Sequence, residues 1–433
     1  MLSAFGKAFK TPDLRKKIFF TLSIMALFRF GSVVPTPGVS YENVKECLAN
    51  PTEQGGLFDL INLFSGGALV QLSVFALGIM PYITASIIVQ LLTVVIPRFE
   101  ALKKEGQSGT AKLTQYTRYL TIGLAILQST GLIAVARIRG RLIPNCELDL
   151  IAADAPWLRI ITMIVVMTAG TSVVMWLGEL ITDRGVGNGM SILIFTSIAA
   201  GFPSQLWAIK LENGWFVFAF VMAVGVLIVA AVVFVEQAQR RIPVQYAKRM
   251  VGRQAYGGTS TYIPIKVNQA GVIPVIFASS LLYIPSLVVN FTNSQAAWAL
   301  WIKNNFVTGD HPIYIASYAL LIIFFTYFYV AITFNPDEVA DNMKKYGGFV
   351  PGIRAGKPTS EYLQYVLSRI TAPGSLYLAL VAVIPVIALV LFGASQQFPF
   401  GGTAILIVVG VGLDTAKQIE SQLQQRSYEG FLK

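Results

Sequence analysis

Residues 57–64 read Leu57-Phe58-Asp59-Leu60-Ile61-Asn62-Leu63-Phe64, and the joint Ser65-Gly66-Gly67 ties this short apolar run to a longer one over residues 69–96. At 1.5 Å per residue the longer run predicts a helix of roughly 42 Å, enough to cross a bilayer, whereas the shorter run cannot cross one. The pattern is typical of a half-helix that dips into a membrane where protein or water surrounds it. An amphipathic helix on the membrane surface explains the short run equally well.

Composition indicates a membrane protein. Apolar residues fill 55% of the 433 positions and charged residues 13%, about half the charged fraction of a soluble domain. The first apolar run contains Arg29 and lacks a small-residue cleavage site, so we interpret it as a retained span and not as a signal peptide. Ten spans are predicted near residues 18–34, 69–96, 115–136, 157–180, 190–208, 215–235, 271–290, 313–334, 374–393 and 402–417.

The distribution of cations predicts the orientation. With the first residues in the cytoplasm, cytoplasmic segments hold 24 of the 33 Lys and Arg, counting Lys417 at the end of the last span, and outer loops hold six. This excess predicts that both termini are cytoplasmic.

Two predicted cytoplasmic loops, residues 236–268 and 335–372, are longer than a connection needs. Anionic lipid headgroups would attract such loops, and an RNA-rich or acidic partner would dock on them for the same electrostatic reason. The first loop holds one acid and six cations, namely Arg240, Arg241, Lys248, Arg249, Arg253 and Lys266.

An internal repeat relates residues 78–86 to residues 271–279, with Gly, Pro, Ile, Ala and Ser at the same offsets. One copy falls in each set of five predicted spans, and because five is odd the two sets have opposite topology. The repeat therefore predicts two inverted halves, residues 1–207 and 208–433, with the working site between them. Chance similarity between Gly- and Pro-containing spans is the alternative.

The residues at this interface disfavour an ion-coupled transporter and an enzyme. Charged side chains in the predicted spans lie towards the ends, whereas a transporter needs them near the midplane. The single histidine, His311, lies in a predicted outer loop, which excludes zinc-protease motifs and Ser–His dyads in the membrane. Gly356-Lys357 lacks the rest of a phosphate-binding loop. We expect no catalytic residue, metal or cofactor, so any energy comes from a partner.

The repeat instead supplies Ile79, Ile83 and Ile276. An aliphatic ring gives ions no ligand and seals a pore by excluding water. Ordinary lipid-facing or core packing is the alternative interpretation of these isoleucines.

Eight stretches across the chain resemble the SecY family, the central subunits of the bacterial protein-conducting channel, which are related to the α subunit of the eukaryotic translocon. They occur in family order, and they are Pro35-Thr36-Pro37-Gly38-Val39, Ile61-Asn62-Leu63-Phe64-Ser65-Gly66-Gly67, Phe75-Ala76-Leu77-Gly78-Ile79-Met80-Pro81-Tyr82-Ile83, Gly185-Val186-Gly187-Asn188-Gly189, Arg240-Arg241-Ile242-Pro243-Val244-Gln245-Tyr246-Ala247, Gly271-Val272-Ile273-Pro274, Gly352-Ile353-Arg354 and Gly402-Thr403-Ala404-Ile405-Leu406-Ile407-Val408-Val409.

The resemblance implies an all-α membrane protein of ten helices in two halves, hinged near residues 203–214, with residues 57–67 as a plug. It also implies a pore ring, in which Met190 stands where many relatives have a branched aliphatic residue, and whose members are Ile79, Ile83, Met190, Ile194, Ile276 and Ile407. The implied lateral gate lies between the second and seventh spans, although ordinary interhelical hydrogen bonding also explains its polar residues Thr84, Ser86, Gln90, Ser279 and Ser280. Arg354 matches a motor-docking arginine, but Ala355 follows it where many relatives have proline.

The implied function is to conduct unfolded secretory polypeptides across the bacterial plasma membrane and to release transmembrane segments sideways into lipid. The implied partners are SecE-like and SecG-like subunits, the SecA motor ATPase, the ribosome and signal-peptide-bearing chains. A secondary transporter and a pore-less insertase are the alternative functions. Cys47 and Cys146 fall in predicted outer loops, and the sequence does not decide between a disulfide and two free thiols.

Overall fold

The computed structural model describes residues 9, 11–49, 65–138, 142–143, 146, 148–152, 156–246, 249–251, 254–256, 260–292, 297–302, 305–306, 311–392 and 402–431. The predicted half-helix at residues 57–64 lies outside them, as do the predicted docking residues Lys248 and Arg253.

The described chain is mainly helical, and each of the ten predicted spans overlaps a helix. The helices are α1 Pro12–Val33, α2 Tyr41–Ala49, α3 Met80–Val95, α4 Pro97–Lys104, α5 Gln107–Ala136, α6 Trp157–Arg184, α7 Gly189–Gln237, α8 Ile273–Thr292, α9 Ala297–Ile302, α10 Pro312–Thr333, α11 Pro336–Lys345, α12 Lys357–Phe392 and α13 Gly402–Phe431.

Five helical segments of the described chain are long and apolar enough to cross a membrane alone, with a sixth if the bent pair α3 and α4 is one span. They are Gln107–Ala136, Trp157–Arg184, Gly214–Gln237, Pro312–Lys345 and Lys357–Val383. The prediction of an all-α membrane protein is confirmed.

The helix predicted over residues 69–96 is shorter than expected. Residues 66–79 form successive turns, and the helix begins only at Met80. Gly66, Gly67 and Gly78 have φ values between 53° and 88°, and Leu72 has a φ of 47°. A right-handed helix does not contain these angles. Apolar composition alone does not distinguish such turns from a helix.

These turns are buried inside the protein, and the segment after α1 satisfies part of their backbone. The Thr36 N–H donates to the Leu72 carbonyl at 3.0 Å, and the Val74 N–H donates to the Val34 carbonyl at 2.9 Å. Leu72 and Ser73 are fully buried. Protein therefore surrounds this irregular backbone, as its position in a membrane requires.

One large hydrophobic cluster runs from α1 to α13 and joins the two halves of the sequence. Neighbouring helices in the chain pack against each other, including α3 with α5, α5 with α6 and α10 with α12. Contacts between the halves come from α8, which meets α3 and α5, and α7, which belongs to both halves, packs on α13. The long helix α7 is kinked at Gly214, which has φ 78° and ψ 179°, between the fifth and sixth predicted spans.

The two long loops contain β-structure that the sequence did not predict. Strands β1 Gln239–Tyr246 and β4 Ser260–Lys266 form an antiparallel hairpin, and β2 Arg249–Val251 pairs with β3 Gln254–Tyr256. From the second loop, β5 Gly348–Phe349 pairs with β1, so the sheet order is β4-β1-β5.

The last part of the second predicted loop is helical, because α12 begins at Lys357. A separate hydrophobic cluster packs the sheet on the neighbouring helices, and it includes Ile242 and Val244 of β1, Met343 of α11 and Leu363 of α12. The two loops therefore form one folded body.

A disulfide joins Cys47 of α2 to Cys146, with 5.5 Å between their Cα atoms and a separation of 99 positions in sequence. The same two segments are also bonded through backbone, because the Ser40 N–H donates to the Leu150 carbonyl at 3.0 Å. The Asn43 side chain donates to the Asp149 carbonyl at 2.8 Å. The two cysteines are therefore paired, which the sequence alone did not decide.

We expect the double variant Cys47→Ser, Cys146→Ser to unfold at a lower temperature in detergent, because closing a loop of this length contributes about 2–4 kcal/mol. Alkylation followed by intact-mass analysis checks the bond itself. The native chain should take up alkylating reagent only after reduction. Two thiols that alkylate without a reductant would contradict the pairing.

Candidate functional site

The two copies of the repeat have the same local backbone. Gly78 and Gly271 both have positive φ values, 53° and 61°, which favour glycine. In each copy a helix begins two residues later, at Met80 and at Ile273. A proline occupies the second position of each helix, where its missing N–H costs no helical hydrogen bond. The repeat seen in the sequence is therefore also a structural repeat.

The isoleucines of the predicted ring lie near the starts of four helices. Ile79 and Ile83 flank the start of α3, Ile276 lies in the first turn of α8, and Ile194 and Ile407 lie in the second turns of α7 and α13. All five are at most 9% exposed and belong to one buried cluster. The structure thus buries all five within the same extended hydrophobic cluster.

Met190, the sixth predicted member, is only partly buried and packs against the same cluster. Its sulfur lies where a side chain at Gly178 of α6 would be, since a Cβ added there would be 2.5 Å from the Met190 Sδ. The flexible thioether fills a groove between helices, as methionine often does.

The joint Ser65-Gly66-Gly67 is anchored by a residue that the sequence analysis gave no role. The Arg29 guanidinium of α1 donates to the Gly66 carbonyl, with 2.7 Å between Nη1 and O. Ser65 is buried, and its hydroxyl oxygen accepts from the Leu69 N–H at 3.1 Å. The sequence did contain a sign of this contact, because a charged arginine inside an apolar span needs a polar partner.

The predicted gate residues lie on helices that meet. α3 contacts α8, but Thr84 and Ser279 donate to carbonyls of their own helices, at Met80 and Ile276. These two hydroxyls therefore donate within their own helices and not to the opposite helix. The Ser280 hydroxyl is buried and has no hydrogen-bond partner among the described residues. Ser86 and Gln90 are half-buried on α3.

Two charged side chains within neighbouring spans are paired with each other. The Arg118 guanidinium of α5 donates to both carboxylate oxygens of Glu179 of α6, at 2.9 and 2.8 Å. Such a two-bond contact fixes the geometry of the two helices. The pair therefore joins α5 to α6.

The predicted docking residues that the structure describes lie on the folded body formed by the two long loops, which we call the loop body. Arg240 and Arg241 are exposed on β1, and the Arg241 guanidinium stacks over the Tyr262 ring at 4.8 Å. Arg249 lies in β2. Arg354 is exposed in the turn between β5 and α12, where its carbonyl accepts from the Thr359 hydroxyl at 2.9 Å. The predicted docking cations therefore come from both loops of the folded body.

Comparison with known proteins gives matches along nearly the whole chain. Residues 73–416 match the SecY family model. The protein translocase subunit SecY of Streptomyces galbus is 69% identical over 438 residues, with 100% of both chains covered. The corresponding subunit of Mycobacterium tuberculosis strain H37Rv is 59% identical over 443 residues, again with both chains fully covered.

Solved structures share the fold at lower identity. A SecY structure, described as a translocation channel whose plug domain stabilises the closed state and maintains a membrane seal, has a TM-score of 0.63 at 18% identity. Sec61 in a canine ribosome–channel complex from the endoplasmic reticulum has a TM-score of 0.57 at 17% identity. Each match covers 94% of this chain and 91% of the other. The chain therefore belongs to the SecY family of protein translocase subunits, multi-pass membrane proteins that form protein-conducting channels.

Proposed function

We propose that the translocating polypeptide passes between the two halves of this chain, through a constriction made by Ile79, Ile83, Met190, Ile194, Ile276 and Ile407. The observation that carries this proposal is that five isoleucines from four helix starts are all buried in one extended hydrophobic cluster. Membership of the family favours such a channel over a secondary transporter or a pore-less insertase.

An aliphatic constriction suits this task. It offers ions no oxygen or charge to replace their hydration shells, and a narrow apolar pore excludes water. It also gives a passing chain no polar group to bind. Met190 contributes least, because its sulfur packs against Gly178 of the neighbouring helix.

Residues 57–67 act as the plug in this proposal, and Arg29 holds the joint that carries it. Support comes from the hydrogen bond between Arg29 and the Gly66 carbonyl. The related SecY channel also has a plug domain that maintains its seal. Opening the channel would require this bond to break or to move with the joint.

The lateral gate is the contact of α3 with α8, whose polar residues are Thr84, Ser86, Gln90, Ser279 and Ser280. The halves hinge near residues 203–214, which fits the kink at Gly214. An apolar segment leaves through the open gate because each CH₂ buried in lipid gains about 0.8 kcal/mol. A polar segment stays in the pore and crosses.

The energy for transport comes from partners that dock on the loop body, namely the SecA motor ATPase and the ribosome. The docking cations are Arg240, Arg241, Lys248, Arg249, Arg253 and Arg354. SecE-like and SecG-like subunits complete the complex, which lies in the bacterial plasma membrane with both termini in the cytoplasm. The excess of Lys and Arg on one side supports this orientation.

Replacing Ile79, Ile83, Ile194 and Ile276 together by glycine should raise the ion leak of the resting channel about tenfold or more, because removing the side chains lets water fill the constriction. Planar-bilayer conductance measures the leak. The matched control places four glycines at exposed positions of the same helices, at Val94, Val226, Leu227 and Leu281. Equal conductance of the ring variant and the native channel would disprove the seal.

Arg29→Ala should raise the open probability of single channels roughly tenfold, since a hydrogen bond from a charged group contributes about 1.5–3 kcal/mol. Arg29→Lys keeps the charge but has a shorter reach, so we expect an intermediate value. Single-channel recording distinguishes the three proteins. An Arg29→Ala channel that opens no more often than the native one would show that this bond does not hold the plug joint.

A further inference from the structure

A buried carboxylate lies where the β-hairpin of the first loop joins the membrane helices, and none of the functions above uses it. Glu236, at the end of α7, is 8% exposed, and Asn268, just after β4, is 3% exposed. The Asn268 amide donates to the Glu236 carboxylate, with 2.6 Å between Nδ2 and Oε1. A second bond from the same amide reaches the Gly271 carbonyl at 3.2 Å.

The two ends of the hairpin are thereby tied to each other. The Val267 N–H donates to the Ala238 carbonyl at 3.0 Å, directly beside the Glu236–Asn268 bond. We call Glu236, Ala238, Val267 and Asn268 the hairpin joint. The joint makes the hairpin a stiff extension of α7 and α8, because backbone and side-chain bonds both close it.

The joint also rests closely on α12. A Cβ added to Gly374 would lie 2.4 Å from the Val267 carbonyl oxygen, so only glycine permits this approach. At the exposed rim, Lys266 pairs with Asp414 of α13 at 3.2 Å. The buried contact with α12 therefore constrains movement of the hairpin, whereas the exposed ion pair contributes little.

From the joint the chain runs directly into the candidate site. Asn268 is bonded to Gly271, whose positive φ starts the second copy of the repeat. Ile276 of the ring and Ser279 of the gate follow within three turns of helix. A displacement of the hairpin thus reaches the ring and the gate through a short and continuous path.

A buried carboxylate is costly unless it is well bonded, and apolar packing could fill the same space. A buried charged hydrogen bond has one defined geometry. It can therefore hold the hairpin in a fixed position relative to the helices, which apolar packing would do less accurately. We propose that Glu236 and Asn268 are positioning residues, which couple docking of a partner on the β-hairpin to movement of α8 at the lateral gate. This inference rests on the proposed docking and gating functions.

The test compares Glu236→Ala and Asn268→Ala with the native complex in lipid vesicles. Nitroxide labels at Val94→Cys of α3 and Leu281→Cys of α8 report the gate, and both positions are exposed. The native cysteines are paired and do not take up the label. We measure the dissociation constant of the SecA motor, the label distance with and without the motor, and the rate of ATP-driven transport.

We expect the dissociation constant to stay within about twofold of native while the transport rate falls about tenfold, as for loss of one buried charge-assisted bond. The label distance should no longer respond to the motor. Glu236→Gln should retain most of the response, because its side-chain oxygen still accepts from Asn268. Lys266→Ala, which removes only the rim ion pair, is the matched control and should behave as native.

Unchanged transport and an unchanged label response in both alanine variants would overturn the proposal. Weaker motor binding in proportion to the lost rate would also overturn it, since the joint would then serve only to fold the docking surface. The label distance does not depend on transport. A native protein whose gate responds to the motor but which transports nothing would therefore contradict the proposed function and still support the coupling.

Discussion

The constraint on which this structure depends is that backbone polar groups cannot remain unsatisfied in a membrane interior. Residues 66–79 are not helical, so turn hydrogen bonds within the segment satisfy only part of their N–H and C=O groups, and others need partners from elsewhere in the chain. The segment after α1 supplies hydrogen bonds at Leu72 and Val74, and the Arg29 guanidinium supplies one at Gly66. The surrounding helices bury the rest. The irregular segment therefore ties α1 to the start of α3.

Because α3 begins only after these turns, its first residues lie inside the protein and not at a membrane surface. The repeat places the start of α8 in an equivalent local geometry, with Gly271 in the role of Gly78. Isoleucines at both starts then join those of α7 and α13 in one cluster. The same backbone interruption thus accounts for the glycine joint at residues 65–67, for the shortened second span and for the position of the isoleucines at the helix starts.

Sequence reasoning located the spans, the repeat and the isoleucines because each depends on local composition or on offsets that recur. It missed the turns at residues 66–79, since leucine, valine and phenylalanine have the same hydropathy in a turn as in a helix. It also missed the strands of the two loops, and it could not foresee the pairing of β1 with β5, whose residues lie more than 100 positions away. The Arg29–Gly66 bond and the Cys47–Cys146 pair are likewise tertiary contacts, and only a three-dimensional structure brings their partners together.

Site-specific photocrosslinking tests most directly whether a polypeptide passes through the isoleucine cluster. Photoreactive residues at Ile83 and at Ile276 would be compared with probes at Leu320, which is exposed on α10, and at Arg354 on the loop surface. The substrate is an arrested secretory chain long enough to reach the membrane centre. We predict adducts at both isoleucines and none at Leu320. Adducts at Arg354 alone would mean docking without passage and would contradict the account.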